Sequence, residues 1–343
     1  MRHSFPPLRE EEYRYRKSWG NRRTMKTVSV APVAWREFVK NYGIAVVLVV
    51  LFIAAGIISP IFYRSANIFN VLQQASALGI VSIGQTLVIL VGGIDLSIAS
   101  AMATSCVFAA ALMKGQNHLV LPVALFCLGI GVLAGFINGV IVTRRNAPPF
   151  IVTLGTALIF QGIRFVYTKG APFGSIPPMV RFLGRGGMGF LPASVIIFLL
   201  LAGIFALILR KTAYGRKIYA IGVNRRASLL SGIGVPNIIL STYILSGLFS
   251  AFGGLVLAGY LGFGDNWAGR GYELDSIAAV VVGGTSLAGG QGGVGGTVVG
   301  VLIMTIVFNM VLLAGLPYQF QQIVKGMIIA ASVAFYSYLG RED

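Results

Sequence analysis

Between Phe38 and Gly340 the chain carries only four carboxylates. Asp95 interrupts the apolar run Leu87-Val-Ile-Leu-Val-Gly-Gly-Ile-Asp-Leu-Ser-Ile-Ala, and the other three, Asp265, Glu273 and Asp275, fall within eleven residues of one another. A water-soluble domain of this length needs acids and bases over its whole outer surface. The medium around this stretch is therefore lipid. The 56% hydrophobic and 11% charged composition agrees, and 45 glycines suit helices that approach closely inside a bilayer.

A net charge of +17 raises nucleic acid or an anionic surface as a partner, but the placement of the charge argues otherwise. Ten of the 27 basic residues lie in the first 40 positions, and Arg210, Lys211, Arg216, Lys217, Arg225 and Arg226 crowd one loop. Alternate loops assign 19 basic residues to one side and six to the other, with Arg164 and Lys325 within or near helix ends. This is the positive-inside bias, and it predicts that the amino terminus, the 210–236 loop and the carboxyl terminus face the cytoplasm. Nucleic acid is not needed to explain the charge.

Residues 1–42 are too long and polar to precede an ordinary cleaved signal, so Gly43–Ser59 reads as a retained first helix. The basic tail, with its run Glu10-Glu11-Glu12, is expected to be disordered or to lie on anionic lipid headgroups, and Met25 is a second possible start of translation. Cys106 and Cys127 fall in successive apolar segments and read as packing residues. His3 and His118 lie near no cysteine or aspartate cluster, so neither a metal site nor a Ser/His/Asp triad is expected.

Apolar windows cover 43–59, 67–83, 85–113, 119–142, 150–168, 192–210, 237–261, 274–289, 294–315 and 319–339, predicting an all-α polytopic membrane protein of about ten spans. Two windows are broken, one at Val91-Gly-Gly-Ile-Asp and one before the glycine-rich stretch from Gly283, and such breaks survive at membrane depth only inside protein or along a cavity. Glycines at 131, 135 and 139, and at 292, 296 and 300, predict two smooth helix faces. Outer loops are too short for a folded receptor domain. In the inner loop 211–236, Asn224 is placed to cap a short helix that stops at Gly232, with Pro236 beyond.

Four motifs then resemble the permeases of bacterial ABC sugar importers of the ribose, xylose and autoinducer-2 type. They are Gly92-Gly-Ile-Asp-Leu-Ser, Thr153-Leu-Gly-Thr, Thr212-Ala-Tyr-Gly-Arg with Ala220-Ile-Gly-Val-Asn, and Glu273-Leu-Asp-Ser-Ile-Ala-Ala-Val-Val-Val-Gly-Gly-Thr-Ser-Leu-Ala-Gly-Gly. The resemblance runs from about residue 43 to 339, making 43–340 the expected permease domain, and implies a type II ABC importer-like fold. It implies a permease dimer, of two identical or two related copies, that takes sugar from an extracytoplasmic binding protein and is driven by a cytosolic ATPase that binds the ATP. No Gly-x-x-x-x-Gly-Lys-Ser/Thr loop occurs in this sequence, so no cofactor and no enzymatic activity are expected of the chain itself. Arg226 to Gly232 resembles the Glu-Ala-Ala-x-x-x-Gly coupling loop of such permeases, with Arg for Glu and Ser for the second Ala. Asn224, Arg225, Arg226, Ala227, Ser228 and Gly232 are thus the expected ATPase contact.

Asp95 is either a functional intramembrane acid or the cap of a helix starting at Leu96 or Ser97. Gln74, Gln85, Asn138, Gln161 and Asn309 are the intramembrane amides that could meet a neutral polyol along its path or join two helices. Gly262-Phe-Gly-Asp265 matches the pattern of intramembrane aspartic proteases, but it lies at a helix end with no partner Tyr-Asp dipeptide. The expected function is import of a small sugar or polyol through an ATP-driven complex. The rival is a self-sufficient secondary transporter or facilitator, which would use proton or sodium gradients through paired intramembrane acids.

Overall fold

The computed structural model describes residues 33–189 and 191–339. Thirteen helices run in the order α1 (Val33–Ile58), α2 (Ser65–Leu90), α3 (Ile98–Met113), α4 (Val120–Arg144), α5 (Pro149–Thr168), α6 (Pro178–Arg185), α7 (Ala193–Lys211), α8 (Ala213–Val223), α9 (Arg225–Leu230), α10 (Val235–Leu261), α11 (Tyr272–Val282), α12 (Val294–Leu313) and α13 (Tyr318–Leu339). Among the described residues the fold is otherwise two short 3₁₀ turns, Pro60–Tyr63 and Asn117–Leu119, and a hairpin of two-residue strands, β1 (Gly187–Met188) against β2 (Leu191–Pro192). α1 starts at Val33, upstream of the apolar run at Gly43. A nucleated helix extends into polar sequence at little cost, so the end of hydrophobicity is not the end of the helix. The disorder expected of the preceding tail falls outside the described residues.

Each apolar window holds a helix, yet ten full crossings do not follow. Among the described residues six helices, α2, α4, α5, α7, α10 and α12, are long and apolar enough to span a bilayer. α11 has 11 residues. At about 1.5 Å per residue it covers roughly half of a hydrocarbon core of about 30 Å. α3, with 16 residues, is also short. The boundary expected near residue 84 is absent: α2 continues to Leu90. A lone glycine costs a helix only about 1 kcal/mol, and Gly84 is where α2 touches α10, a Cβ there lying 2.8 Å from Ser246 Cα.

α10 is the hub, packed by α4, α2, α3 and α6. Its contact with α4 is made through glycine: a Cβ on Gly131 would overlap the Gly247 carbonyl, and one on Gly135 the Tyr243 carbonyl. The second stripe is shorter than the spacing suggests. Gly296 and Gly300 do lie against Gly283 and Ala279 of α11, but Gly292 is in the preceding loop at φ +111°. At the opposite end from the basic loop, Gly184 of α6 and Gly259 of α10 cross without room for side chains. Phe173 and Gly264 exchange two backbone hydrogen bonds of 2.9 Å there. This ties the 169–192 loop to the segment after α10.

Candidate functional site

The first break, Val91 to Ser97, is held by side chains. Asp95 is fully buried, and its Oδ1 accepts hydrogen bonds from the Ser97 N–H (2.9 Å) and hydroxyl (2.6 Å). Its Oδ2 accepts from the Ser246 hydroxyl of α10 at 2.8 Å. The Ser97 oxygen in turn accepts from the Asn138 amide of α4 (3.0 Å), whose own oxygen takes the Thr156 hydroxyl of α5 (2.6 Å). Leu96 N–H donates to Thr153 Oγ1, and Tyr243 reaches the Ile94 carbonyl. One carboxylate therefore joins the break to α10 directly and to α4 and α5 through Ser97. The expected cap differs in detail: α3 starts at Ile98 with Ser97 as its N-cap residue, so Asp95 closes the turn before the helix instead of capping its first turn.

The second break, Gly283 to Gly293, is held mostly by backbone, with the Thr285 hydroxyl accepting from Gly293 N–H and the Thr297 hydroxyl donating to the Gly293 carbonyl. Gly284, Gly289, Gly290, Gly292 and Gly293 all have positive φ. A side chain at these positions would be strained, which is why the stretch is glycine. Here the two breaks meet. Gly290 N–H donates to the Leu90 carbonyl at the end of α2 (3.0 Å). A Cβ on Gly222 of α8 would overlap both the Leu90 carbonyl oxygen and Gly290 N. Tyr219, one turn back on α8, donates to the Gly292 carbonyl at 2.9 Å. Burial pushes its phenol above the usual range, so it stays a donor. A cavity of about 190 Å³ opens beside this junction, lined by Arg210, Tyr219, Gly283 and Gly292 to Gly296 among others.

α8 passes directly into α9, whose cap is as expected in form: Asn224 Oδ1 accepts from Ala227 N–H at 2.9 Å, and Gly232 follows at φ +78°. Arg225, Arg226 and Ala227 are exposed. Ser228, the remaining residue of that expected contact, is 4% exposed, while Val223, Leu229 and Leu230 stand in the open, Leu230 at 82%. A leucine in an apolar chain carries no signal until its surroundings are known.

The remaining candidates separate. Asn309 and Asn67 exchange amide hydrogen bonds of 3.0 and 3.1 Å, joining α12 to α2. Gln74 is exposed, and its neighbour Gln73 is the buried one, donating to the Arg185 carbonyl. Gln161 is half-buried on α5. Gln85 is fully buried with neither amide atom partnered. The two basic residues expected within or near helix ends are both buried. Arg164 is bonded to the Ser100 carbonyl (2.7 Å) and Thr104 hydroxyl (3.2 Å), and Lys325 pairs with Asp275 between α13 and α11. Asp265 accepts from Trp267 N–H, a local turn contact. Among the described residues no group of three or more His, Cys, Asp or Glu side chains could hold a metal.

Six helices long and apolar enough to cross a bilayer, with two breaks meeting on a glycine junction against α8, define a polytopic membrane protein. The sequence comparisons agree: residues 67–333 match the family "Branched-chain amino acid transport system / permease component", and the chain belongs to it. It is 41% identical over 288 residues to the ribose import permease protein of Bacillus subtilis, covering 83% of this chain and 89% of that one. Identity to the Haemophilus influenzae ribose import permease protein is 39% over 301 residues, 86% of this chain and 92% of the relative. Against the galactose/methyl galactoside import permease protein of Escherichia coli it is 37% over 318 residues, 88% and 95%. No solved structure gives a significant match to the chain.

Proposed function

We propose that the chain is the membrane-spanning subunit of an ATP-driven importer for a small sugar or polyol, in a bacterial inner membrane with both termini in the cytoplasm. Sugar import is what the relatives' names describe. Its partners are a cytosolic ATPase that binds the ATP, an extracytoplasmic sugar-binding protein and a second permease copy. The observation that carries coupling is the seat of α8: Gly222 packs against Leu90, where α2 ends at the first break, and Gly290 of the second, and Tyr219 bonds Gly292, while the next helix, α9, exposes Leu229, Leu230, Arg225 and Arg226. An apolar pair rimmed by guanidinium groups fits a groove with an apolar floor and acidic edges. Movement of that groove would be passed through α8 to the junction.

Secondary transport is less well supported. Asp95 is occupied by hydroxyls of Ser97 and Ser246, and Asp275 by Lys325, so the two acids do not face each other.

The test is uptake of labelled ribose and galactose by proteoliposomes holding the permease with its ATPase and binding protein. Leu230→Asp should abolish uptake and transport-linked ATP hydrolysis together while membrane insertion stays normal. A cysteine at 230 should crosslink to the ATPase. Uptake driven by an ion gradient without the ATPase would refute the reading.

A further inference from the structure

The buried polar residues of the bundle divide by whether their hydrogen bonds are met. Asp95, Asn138 and Asn309 are spent on other side chains. Ser105, Ser194, Arg164 and Asn266 each leave one buried atom unpaired, but Gln85, with no exposed surface, leaves both its amide nitrogen and its amide oxygen without a partner among the described residues. Buried amides are normally satisfied, and one kept without a partner calls for a role outside the resting fold.

Helix geometry places the group. Successive residues are turned by about 100°. On α2, Gly84 faces α10 at Ser246, and Thr86 faces α12, its hydroxyl 2.8 Å from that of Thr297. Gln85 lies between these directions. Val81 and Leu78 of the same α2 face cluster with Ile98, Met102, Ala278 and Ala279, and Ile89 clusters with Ile277, Val280 and Val281. The amide is thus aimed at the sector where the short helices α3 and α11 approach, with apolar side chains above and below it.

We infer that Gln85 is the recognition group for the transported solute, which it binds as a neutral vicinal diol; this rests on the import reading above. A primary amide sets an acceptor oxygen beside an NH₂ donor. Two adjacent hydroxyls, one donating and one accepting, match that pair. The apolar surroundings disfavour a charged ligand. Opening of α3 or α11 would admit the diol to an amide that is already free.

The test uses the full complex and two measurements on Gln85→Met, which keeps the length and loses the amide. Without sugar, the melting temperature should rise by about 2 °C or more, since a buried unsatisfied group has been removed. In proteoliposomes, uptake of labelled ribose or galactose should fall about tenfold or more with ATP hydrolysis retained. A fall in melting temperature would show that the amide has a structural partner and overturn the inference. Unchanged uptake would overturn it as well. A wild-type complex that carries neither sugar would refute the import reading and the diol with it. The stability measurement, made without sugar, separates that result from a misplaced Gln85.

Discussion

The two breaks lie against each other yet are built from opposite materials. Val91 to Ser97 is fixed by side chains, with a buried carboxylate taking three hydrogen bonds and a relay through Ser97 and Asn138 reaching α5. Gly283 to Gly293 has glycine at most of its turns, carries no buried charge, and is held by backbone groups with lone hydroxyls: Tyr219 and Thr297 donate to its Gly292 and Gly293 carbonyls, and its own Thr285 accepts from Gly293 N–H. A polar network specifies one arrangement, because any shift strands several buried groups at once. A glycine backbone tolerates several. The first break is accordingly the anchor of the bundle, and the second, in contact with α8, is the part suited to move.

The sharpest way to break the comparison is to remove the anchor. Asp95→Leu strands the Ser97 N–H, the Ser97 hydroxyl and the Ser246 hydroxyl, at about 1–3 kcal/mol for each unsatisfied buried donor. The folded permease should be lost or destabilised by several kcal/mol. Asp95→Asn, which keeps an acceptor oxygen for Ser97, should be milder. Thermal melting in detergent reads both, and equal stabilities would mean that the network does not anchor the break.

Next in size is Gly222→Val. Its side chain collides with the Leu90 carbonyl and Gly290 N, so uptake should drop below about a tenth of wild type, a change of about 1.4 kcal/mol. Melting should be affected less than by Asp95→Leu, because the strain falls on the movable break. A variant that melts as low as Asp95→Leu would erase the distinction between the two regions.

Tyr219→Phe removes one hydrogen bond to the second break, worth about 1 kcal/mol. Binding-protein-stimulated ATP hydrolysis should fall by roughly two- to fivefold with the fold intact. Wild-type stimulation would show that α8 acts on the junction through Gly222 alone. The smallest effect belongs to Gln74→Ala: an exposed residue off both breaks should change melting by no more than about 0.5 kcal/mol, and uptake not at all.

Much of this was legible from order and composition. Scarcity of carboxylates between Phe38 and Gly340 required lipid, and the apolar windows located every long helix. Asn224 and Gly232 announced a short capped helix because caps and left-handed turns are local chemistry. The same local rules misplaced the boundary near residue 84, since a glycine inside a helix reads alike whether it breaks the helix or seats a neighbour. They also could not separate Gln73 from Gln74, or Ser228 from Leu230: one step along a helix turns a residue by about 100°, and only the neighbours decide which direction is inside.

The sequence alone determined the solvent, the helical class and the sites of the two breaks, because hydrophobicity and backbone freedom are properties of residues. Tertiary structure decided what those breaks do. Asp95 and Ser97, Thr153 and Thr156, Gly222, and Gly289 with Gly290 come from four separate motifs, and folding gathers them around the two breaks. Whether a buried group such as Asp95 is satisfied or, like Gln85, left free depends on partners up to 151 residues away in the chain. Such pairing is a property of the packed bundle, where no water is at hand to mask an unmet hydrogen bond.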